Sequence, residues 1–330
     1  MNSKTRTEMF IRGEPVGRPP RHPILMRFAA QYAGVSYGDF CLNPECKADA
    51  MSRCADDFEL DWVTVMSDPF AEAEAYGLHV EYPENDLPKD NGHVLTEDSD
   101  PDLLPVLQVE EHRRLRNLVR TVELLQERYG DGMFKVGWVE GPFAEYADLR
   151  GLTGACMDLY DDAEKVRAFA ERITENALRI AEAQVKAGAD CIGIGDAVCS
   201  QIGAEMYRDL FQPLEKRMVD RIHQLGAMVK LHICGNTSHI LPDMIVTGSD
   251  IVDVDHLVGS MRPFAPLLSR QQVFSGNVDP VSVVQDGSPD EIRAAVFQCL
   301  EETDGRCILS AGCEITPGTP IENMKALCVG

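Results

Sequence analysis

The chain has 330 residues, of which 44% are hydrophobic and 26% charged, so it is long enough to enclose the core of one large α/β domain. Its formal net charge of −23, from 31 Lys and Arg against 54 Asp and Glu, argues against nucleic acids and anionic membranes, because both attract basic surfaces. Residues 1–20 lack an apolar segment and no run of about 18 apolar residues occurs, so we predict a cytoplasmic protein with a loosely held N-terminal arm at 1–20 and no membrane span.

The first half of the chain contains three short apolar runs that predict strands: Ile24–Phe28, Trp62–Asp68 and Phe134–Glu140. After the second of them comes an acidic insertion at 76–104, rich in Pro, Asn and Asp. It includes Tyr82-Pro83-Glu84-Asn85-Asp86 and a turn-like Asn91-Gly92 pair. We predict that the insertion forms a hairpin and a loop that cover one end of the domain as a lid.

The second half alternates β-branched apolar runs with helical segments, a pattern typical of a parallel sheet. Its predicted strands are Cys191–Ala197, Met228–Cys234, Ile251–Asp255, Val273–Asp279 and Cys307–Cys313. Apolar residues recur at three- and four-residue spacing over 163–186 and predict a long helix. The sequences Ser288-Pro289-Asp290-Glu291 and Thr319-Pro320-Ile321-Glu322 each predict a helix start with a hydroxyl N-cap, a first-turn proline and a glutamate three residues after the cap.

Eight strands with intervening helices predict a single-domain (βα)8 barrel, a TIM barrel, over 21–330. No GxGxxG motif follows a strand, which disfavours a nucleotide-binding doubly wound sheet. In such a barrel the residues at the carboxyl ends of the strands form the active site. Those residues are Arg27, Asp68, Glu140, Asp196, His232, Cys234, Asp255, Asp279 and Cys313.

One group of these strand-end residues has the chemistry of a metal site. His232 and Cys234 lie two residues apart, so both side chains point to the same side of their strand. Cys313 ends a different strand and can meet them there. One imidazole and two thiolates suit Zn²⁺, with Asp255 as the candidate fourth ligand and Glu140 behind it. For the His-x-Cys pair alone, a core histidine beside a buried thiol stays open.

Several motifs resemble the uroporphyrinogen decarboxylase superfamily from about residue 23 to the C-terminus. They are Pro23-Ile24-Leu25-Met26-Arg27, Ser67-Asp68, Gly188-Ala189-Asp190, Gly276-Asn277-Val278-Asp279-Pro280 and Pro317-Gly318-Thr319-Pro320-Ile321-Glu322-Asn323. The resemblance implies a (βα)8 barrel. The chain departs from the true decarboxylases at three positions, since Gln31 replaces a motif arginine, Ala197 a serine and Cys313 a histidine. A substrate with eight carboxylates needs cationic anchors, so these losses argue against a decarboxylase.

The same departures resemble another branch, the zinc-dependent methyltransferases that act with corrinoid proteins. The similar segments are Leu231–Thr237, which holds His-x-Cys, and Gly312-Cys313. The resemblance implies Zn²⁺ as a cofactor and a methylated small molecule, such as a methyl ether or thioether, as substrate. It also implies a corrinoid on a separate partner protein, because the Asp-x-His-x-x-Gly signature of cobalamin domains is absent from this chain.

Asp68, Asp196 and Arg27 are the candidate catalytic residues, with the aspartates positioning substrate or moving protons. The alternatives are a uroporphyrinogen decarboxylase and a non-catalytic zinc or corrinoid-chaperone module.

Overall fold

The computed structural model describes residues 1–328. Its strands are β1 (Trp62–Thr64), β2 (Val80–Glu81), β3 (Lys89–Asp90), β4 (Phe134–Glu140), β5 (Cys191–Gly195), β6 (Met228–Ile233), β7 (Ile251–Val254), β8 (Val273–Val278) and β9 (Cys307–Ala311). β2 and β3 form an antiparallel hairpin, and the other seven form one parallel sheet in chain order. Seven of the eight predicted barrel strands are therefore confirmed, most of them ending one to two residues earlier than predicted.

The prediction of a strand over Ile24–Phe28 is wrong. Extended backbone at 20–25 takes this place in the barrel: Leu309 N donates to Pro20 O at 2.8 Å, and His22 N donates to Leu309 O at 2.8 Å. On the other side Asp61 N donates to Arg21 O at 3.1 Å, so the segment closes the gap between β9 and β1. Three prolines within 19–23 remove backbone donors and prevent a regular ladder. The (βα)8 barrel is confirmed with seven regular strands and one irregular one.

Helices surround the sheet, and their apolar faces form one continuous core with it. They are α1 (Ser3–Ile11), α2 (Arg27–Ala33), α3 (Tyr37–Leu42), α4 (Pro44–Asp57), α5 (Phe70–Ala75), α6 (Arg113–Tyr129), α7 (Pro142–Arg150), α8 (Leu152–Asp161), α9 (Ala163–Ala187), α10 (Ala204–Met206), α11 (Gln212–Gln224), α12 (Leu241–Val246), α13 (Pro289–Glu302) and α14 (Ile321–Leu327). Within residues 1–328, none of these helices is long and apolar enough to cross a membrane.

The sequence located the helix starts with one error. Ser288 caps α13 in a full capping box, as predicted, and α9 ends one residue after its predicted end. At α14 the N-cap is Pro320, and Thr319 Oγ1 donates to Thr316 O at 2.9 Å instead of capping the helix. The predicted Thr319 cap is therefore wrong, because the hydroxyl closes the preceding turn.

The N-terminal arm is held firmly, so the prediction of a loosely held segment is wrong. Ile11 of α1 is buried against Ile251, Val273 and Ile308, which lie in the amino-terminal halves of their strands. Arg6 of the same helix and Arg18 both pair with Asp61, whose side chain is fully buried. The arm therefore covers the end of the barrel opposite to the predicted active site.

The insertion forms the predicted hairpin, with Val80 opposite Asp90 and Glu81 opposite Lys89. Leu87 and Pro88 at its tip reach the carboxyl end of the barrel, where they line a cavity. The predicted position of the insertion over the barrel mouth is confirmed.

Candidate metal centre

The three predicted metal ligands meet at the carboxyl end of the barrel. His232 Nε2 lies 2.9 Å from Cys234 Sγ, and Cys234 Sγ lies 3.6 Å from Cys313 Sγ. All three ligand atoms lie within 4.8 Å of one another. Cys313 reaches this point because Gly312 packs on the loop after β7, where an added Cβ would lie 2.2 Å from His256 N.

The donor set fits Zn²⁺. Two thiolates bound tetrahedrally at about 2.3 Å stand roughly 3.7 Å apart, close to the observed 3.6 Å. The Nε2–Sγ distance of 2.9 Å is shorter, which suits a hydrogen bond between these atoms when no ion separates them. All three side chains line a cavity, so an ion that they held would be accessible to a small molecule in it.

Asp255, the predicted fourth ligand, does not join this cluster. One of its oxygens accepts from Gly235 N at 2.9 Å and the other from Leu257 N at 3.0 Å. The carboxylate therefore ties together the loops that follow β6 and β7. Its charge still reaches the site, since it contributes to raising the pKa of Cys234.

A partner of His232 that sequence reasoning missed is Asp253. The register of β6 and β7 places these two residues opposite each other, and His232 Nδ1 lies 2.8 Å from Asp253 Oδ2. Lys230 Nζ lies 3.2 Å from the same oxygen and 4.4 Å from the centre of the Trp62 ring. A carboxylate on Nδ1 orients the imidazole and leaves Nε2 for the metal. The sequence did contain a signal for Asp253, since an aspartate in the middle of an otherwise apolar strand is unusual.

The three candidate ligands shift one another's pKa values. Burial alone lowers the pKa of His232, but the Asp253 carboxylate and Cys313 raise it to about 10. The hydrogen bond with Cys234 and the nearby His232 lower the pKa of Cys313 to about 4, against the effect of its burial. The pKa of Cys234 is raised well above its ordinary value, because it shares a proton with Cys313 and is buried. These shifts favour a protonated His232 beside a Cys313 thiolate, and binding of a metal cation by this set would release protons.

The three candidate ligands share a cavity of about 330 Å³ with apolar and aromatic residues. Trp138 is the largest of these, and sequence reasoning missed it. Its ring fits because β5 has a glycine opposite: a Cβ on Gly193 would lie 2.2 Å from the ring. The alternating glycines of the β5 sequence were the available signal. The ring stands 6.5 Å from the His232 ring, centre to centre, so it forms one side of the site.

The structure brings only one of the three candidate catalytic residues into the cavity. Asp68 lines it, paired with Arg114. Asp196 is fully buried and accepts from Ala144 N at 2.7 Å, so it holds the start of α7 and does not meet substrate. Arg27 begins α2 and pairs with Glu314 at 3.4 Å, outside the cavity wall. The prediction that Arg27 lies at the end of a strand is wrong, because the predicted strand Ile24–Phe28 does not form.

Of the two remaining strand-end residues, one lines the cavity and the other stabilises a turn. Glu140 lines the cavity, with its Oε1 accepting from Trp138 Nε1 at 3.0 Å. Asp279 accepts from Val281 N at 2.8 Å and from Ser282 N at 2.9 Å, and so caps the turn after β8.

This fold and this arrangement of ligands agree with known proteins. The sequence profile of the uroporphyrinogen decarboxylase family (URO-D) matches residues 2–329. The chain belongs to this family. The match includes the N-terminal arm, whereas the family motifs in the sequence begin only at about residue 23.

Within the family, the relatives include methyltransferases. Methylcobamide:CoM methyltransferase MtbA of Methanosarcina mazei is 28% identical over 98% of this chain and 96% of its own length. Methylcobamide:CoM methyltransferase MtaA of Methanosarcina barkeri is 25% identical over the same shares, 98% and 96%. A uroporphyrinogen decarboxylase of Solibacter usitatus is 24% identical over 88% of this chain and 84% of its own.

The solved structures agree. A methyltransferase from Methanosarcina mazei superposes with a TM-score of 0.90 and 25% identity, covering 99% of this chain and 97% of its own. A B12-independent methionine synthase from Shewanella sp. W3-18-1, at a TM-score of 0.58 and 13% identity, shares the fold over 86% of each chain. The chain is an enzyme of the methyltransferase class, which confirms that prediction and removes the non-catalytic alternative.

Proposed function

We propose that this enzyme transfers a methyl group between a methylated small molecule and the cobalt of a corrinoid that a separate protein carries. His232, Cys234 and Cys313 hold Zn²⁺ for this reaction. The observation that carries the proposal is the convergence of one imidazole nitrogen and two thiol sulfurs within 4.8 Å of one another on the wall of a cavity.

Bound there, Zn²⁺ supplies a Lewis acid with a free coordination position for the oxygen or sulfur that gives up or receives the methyl group. The protein's own residues arrange the rest. Asp253 holds the His232 ring by its Nδ1, and Lys230 holds Asp253. The apolar side chains of Met66, Phe70 and Leu87 line the cavity and keep water from the methyl group.

The proposal also includes a separate protein that carries the corrinoid. A methyl transfer needs the donor atom and cobalt at a near-attack distance of roughly 3–3.5 Å, so the corrinoid has to reach the barrel mouth. Two relatives are named methylcobamide:CoM methyltransferases, and their names support a corrinoid as methyl carrier. The acidic surface of this chain, with its net charge of −23, favours a partner whose docking face is basic.

The uroporphyrinogen decarboxylase alternative has sequence relatives but no suitable site. Its substrate carries eight carboxylates, whereas none of the described residues that line the cavity is Lys or Arg. Asp68, the acidic residue of the cavity that a decarboxylase shares, is already neutralised by Arg114.

The proposal is tested by zinc content and methyl transfer in the same preparations. We expect about one zinc per chain in the purified protein, and loss of most of it in Cys313→Ala. Cys156→Ala is the matched control, because Cys156 is a half-buried free cysteine on α8, outside the ligand cluster. Full zinc occupancy in Cys313→Ala would remove Cys313 as a ligand. Zinc-loaded protein that neither methylates Co(I) cobalamin nor demethylates methylcobalamin, free or on a corrinoid protein, would contradict the transfer reaction.

A further inference from the structure

The chemistry of the cavity wall restricts the charge of the small molecule. Apart from the zinc ligands, its ionisable side chains are two carboxyls, Asp68 and Glu140, and the phenol of Tyr37. Tyr37, Phe70 and Trp138 present aromatic rings to it. None of the described lining residues is Lys or Arg, and the one basic side chain, His232, is committed to the ligand cluster, so the rest of the wall offers no cationic side chain to a sulfonate, carboxylate or phosphate.

The two carboxyls differ in how they are compensated. Asp68 is paired with Arg114, and Ser67 links it to buried Lys47, whose Nζ donates to Ser67 Oγ at 2.9 Å. Glu140 has no such partner. Its Oε1 accepts from Trp138 Nε1 at 3.0 Å, and the charged groups near enough to shift its pKa are all acidic.

Behind Glu140 lies a layer of further acidic side chains. Glu72 is buried and accepts from Glu140 N at 2.8 Å, while its other oxygen has no protein hydrogen-bond partner. Glu145 is fully buried, and neither of its oxygens has a partner. Asp148, on the same helix, adds a fourth carboxyl to this group. Burial without a compensating cation makes ionisation of these four carboxyls costly, as their raised pKa values indicate, and a bound positive charge would lower that cost.

We propose that the small molecule is an organic onium cation, a methylated ammonium or sulfonium, which Glu140 binds as its counter-charge in the cavity that Trp138 and Phe70 line. The inference rests on the proposed function and names the substrate class of the same site. When the methyl group passes to cobalt, the C–N or C–S bond breaks with its electron pair left on the nitrogen or sulfur, so the onium leaves as a neutral amine or thioether whose freed lone pair could bind the metal. Aromatic faces beside a carboxylate attract quaternary ammonium groups through the negative charge of the ring face.

Size and protonation agree with this class. The cavity of about 330 Å³ corresponds to roughly eleven waters at ~30 Å³ each, enough for a compact molecule next to the metal. Burial, with Asp148 and Glu72 nearby, raises the pKa of Glu140 well above its ordinary value. This shift favours the protonated form of Glu140. A bound cation favours the carboxylate, so binding should release a proton.

Four probes that share a hydroxyethyl tail separate the possibilities. Choline carries a trimethylammonium head, 2-hydroxyethyl dimethylsulfonium a sulfonium head, 3,3-dimethylbutan-1-ol a neutral tert-butyl head and 2-hydroxyethanesulfonate an anionic head. Calorimetry on the purified full-length protein, with its zinc content recorded, measures the affinity of each. We expect at least one onium probe to bind about tenfold more tightly than the neutral isostere. The tighter of the two onium probes identifies the class.

Two variants and a control locate the effect. Glu140→Gln should reduce the preference for the onium over the neutral probe to about threefold or less, and should abolish proton release measured in two buffers of different ionisation enthalpy. Glu301→Gln makes the same chemical change on the exposed face of α13 and should change neither result. Leu87→Arg places a cation at the exposed hairpin tip, where folding is not at risk, and should shift the preference toward the sulfonate.

Three results would overturn the inference. They are equal binding of the onium and tert-butyl probes, tighter binding of the sulfonate to the unmodified protein, and no binding of either onium at about 10 mM. Each of these leaves methyl transfer and zinc content unaffected, so the failure of this inference is distinguishable from the failure of the proposed function. Onium binding without methyl transfer would contradict only the latter.

Discussion

Replacing Asp253 with asparagine tests whether this buried carboxylate positions the zinc ligand His232. Asp253 Oδ2 lies 2.8 Å from His232 Nδ1 and 3.2 Å from Lys230 Nζ, and all three residues are buried. Loss of such an orienting carboxylate weakens metal binding by about 10- to 100-fold, or about 1.4–2.7 kcal/mol. We therefore expect the zinc dissociation constant of Asp253→Asn to rise by this factor, measured by competition with a chromophoric chelator.

The same substitution also affects stability, which has to be separated from metal binding. Burial alone raises the pKa of Asp253, but Lys230 and His232 lower it from 3.8 to about 2. Because the folded-state pKa is depressed, the ionised carboxylate stabilises the fold by about 2 kcal/mol above pH ~4, and this contribution is lost as the pH falls toward 2. Asp253→Asn lacks it at neutral pH and also leaves Lys230 without its anion, so we expect a loss of about 3–5 kcal/mol in total.

A second substitution separates the two effects. Lys230→Met removes the buried cation, so Asp253→Asn in that background leaves no unpaired lysine and should recover much of the stability while keeping the zinc defect. Asp250→Asn is the matched control, because Asp250 lies just before the same strand and contacts His223 Nε2 at 2.8 Å, outside the metal-ligand cluster. Zinc affinity of the double variant within twofold of Lys230→Met would refute the orienting role of Asp253.

Three further outcomes are expected. The enzyme should not convert uroporphyrinogen to coproporphyrinogen above about 1 s⁻¹, and a faster rate in a porphyrin assay would contradict the assignment to the methyltransferase branch. Deletion of 84–91, which removes β3 together with Leu87 and Pro88 of the hairpin tip, should slow transfer with a protein-bound corrinoid but leave zinc content and the barrel fold, followed by circular dichroism, intact; unchanged kinetics would show that the insertion does not act as a lid. Ile11→Ala should lower the free energy of unfolding by about 2–5 kcal/mol in urea titrations, since Ile11 is buried against β7, β8 and β9, whereas a loosely held arm predicts no change.

The sequence by itself was sufficient to predict which three side chains meet at the candidate metal centre. Strand geometry places residues i and i+2 on one side, so His232 and Cys234 had to face the same way. The carboxyl ends of parallel strands meet at one end of a barrel, which brought Cys313 to them. These rules depend only on local conformation and on the fold class, and both are encoded in the pattern of apolar residues.

The partners of those ligands depended on the tertiary structure. Asp253 meets His232 because of the register between β6 and β7, which barrel closure determines and hydrophobic periodicity does not encode. The tertiary structure also decided which of the strand-end carboxylates reach the cavity. Asp196 accepts a backbone hydrogen bond from the start of α7 and Asp255 accepts one from the loop after β6, and both lie outside the cavity wall, whereas Asp68 and Glu140 line it.

The sequence also predicted a strand at Ile24–Phe28 from a short apolar run, but short apolar runs do not distinguish a strand from other buried backbone. The gap between β9 and β1 decided the place of that segment, because backbone at 20–25 fills the gap with two hydrogen bonds to Leu309 of β9 and one to Asp61, just before β1. Local sequence thus determined which atoms could bind a metal. Barrel closure decided which charges surround them, because a charge acts over distances that only the packed chain defines.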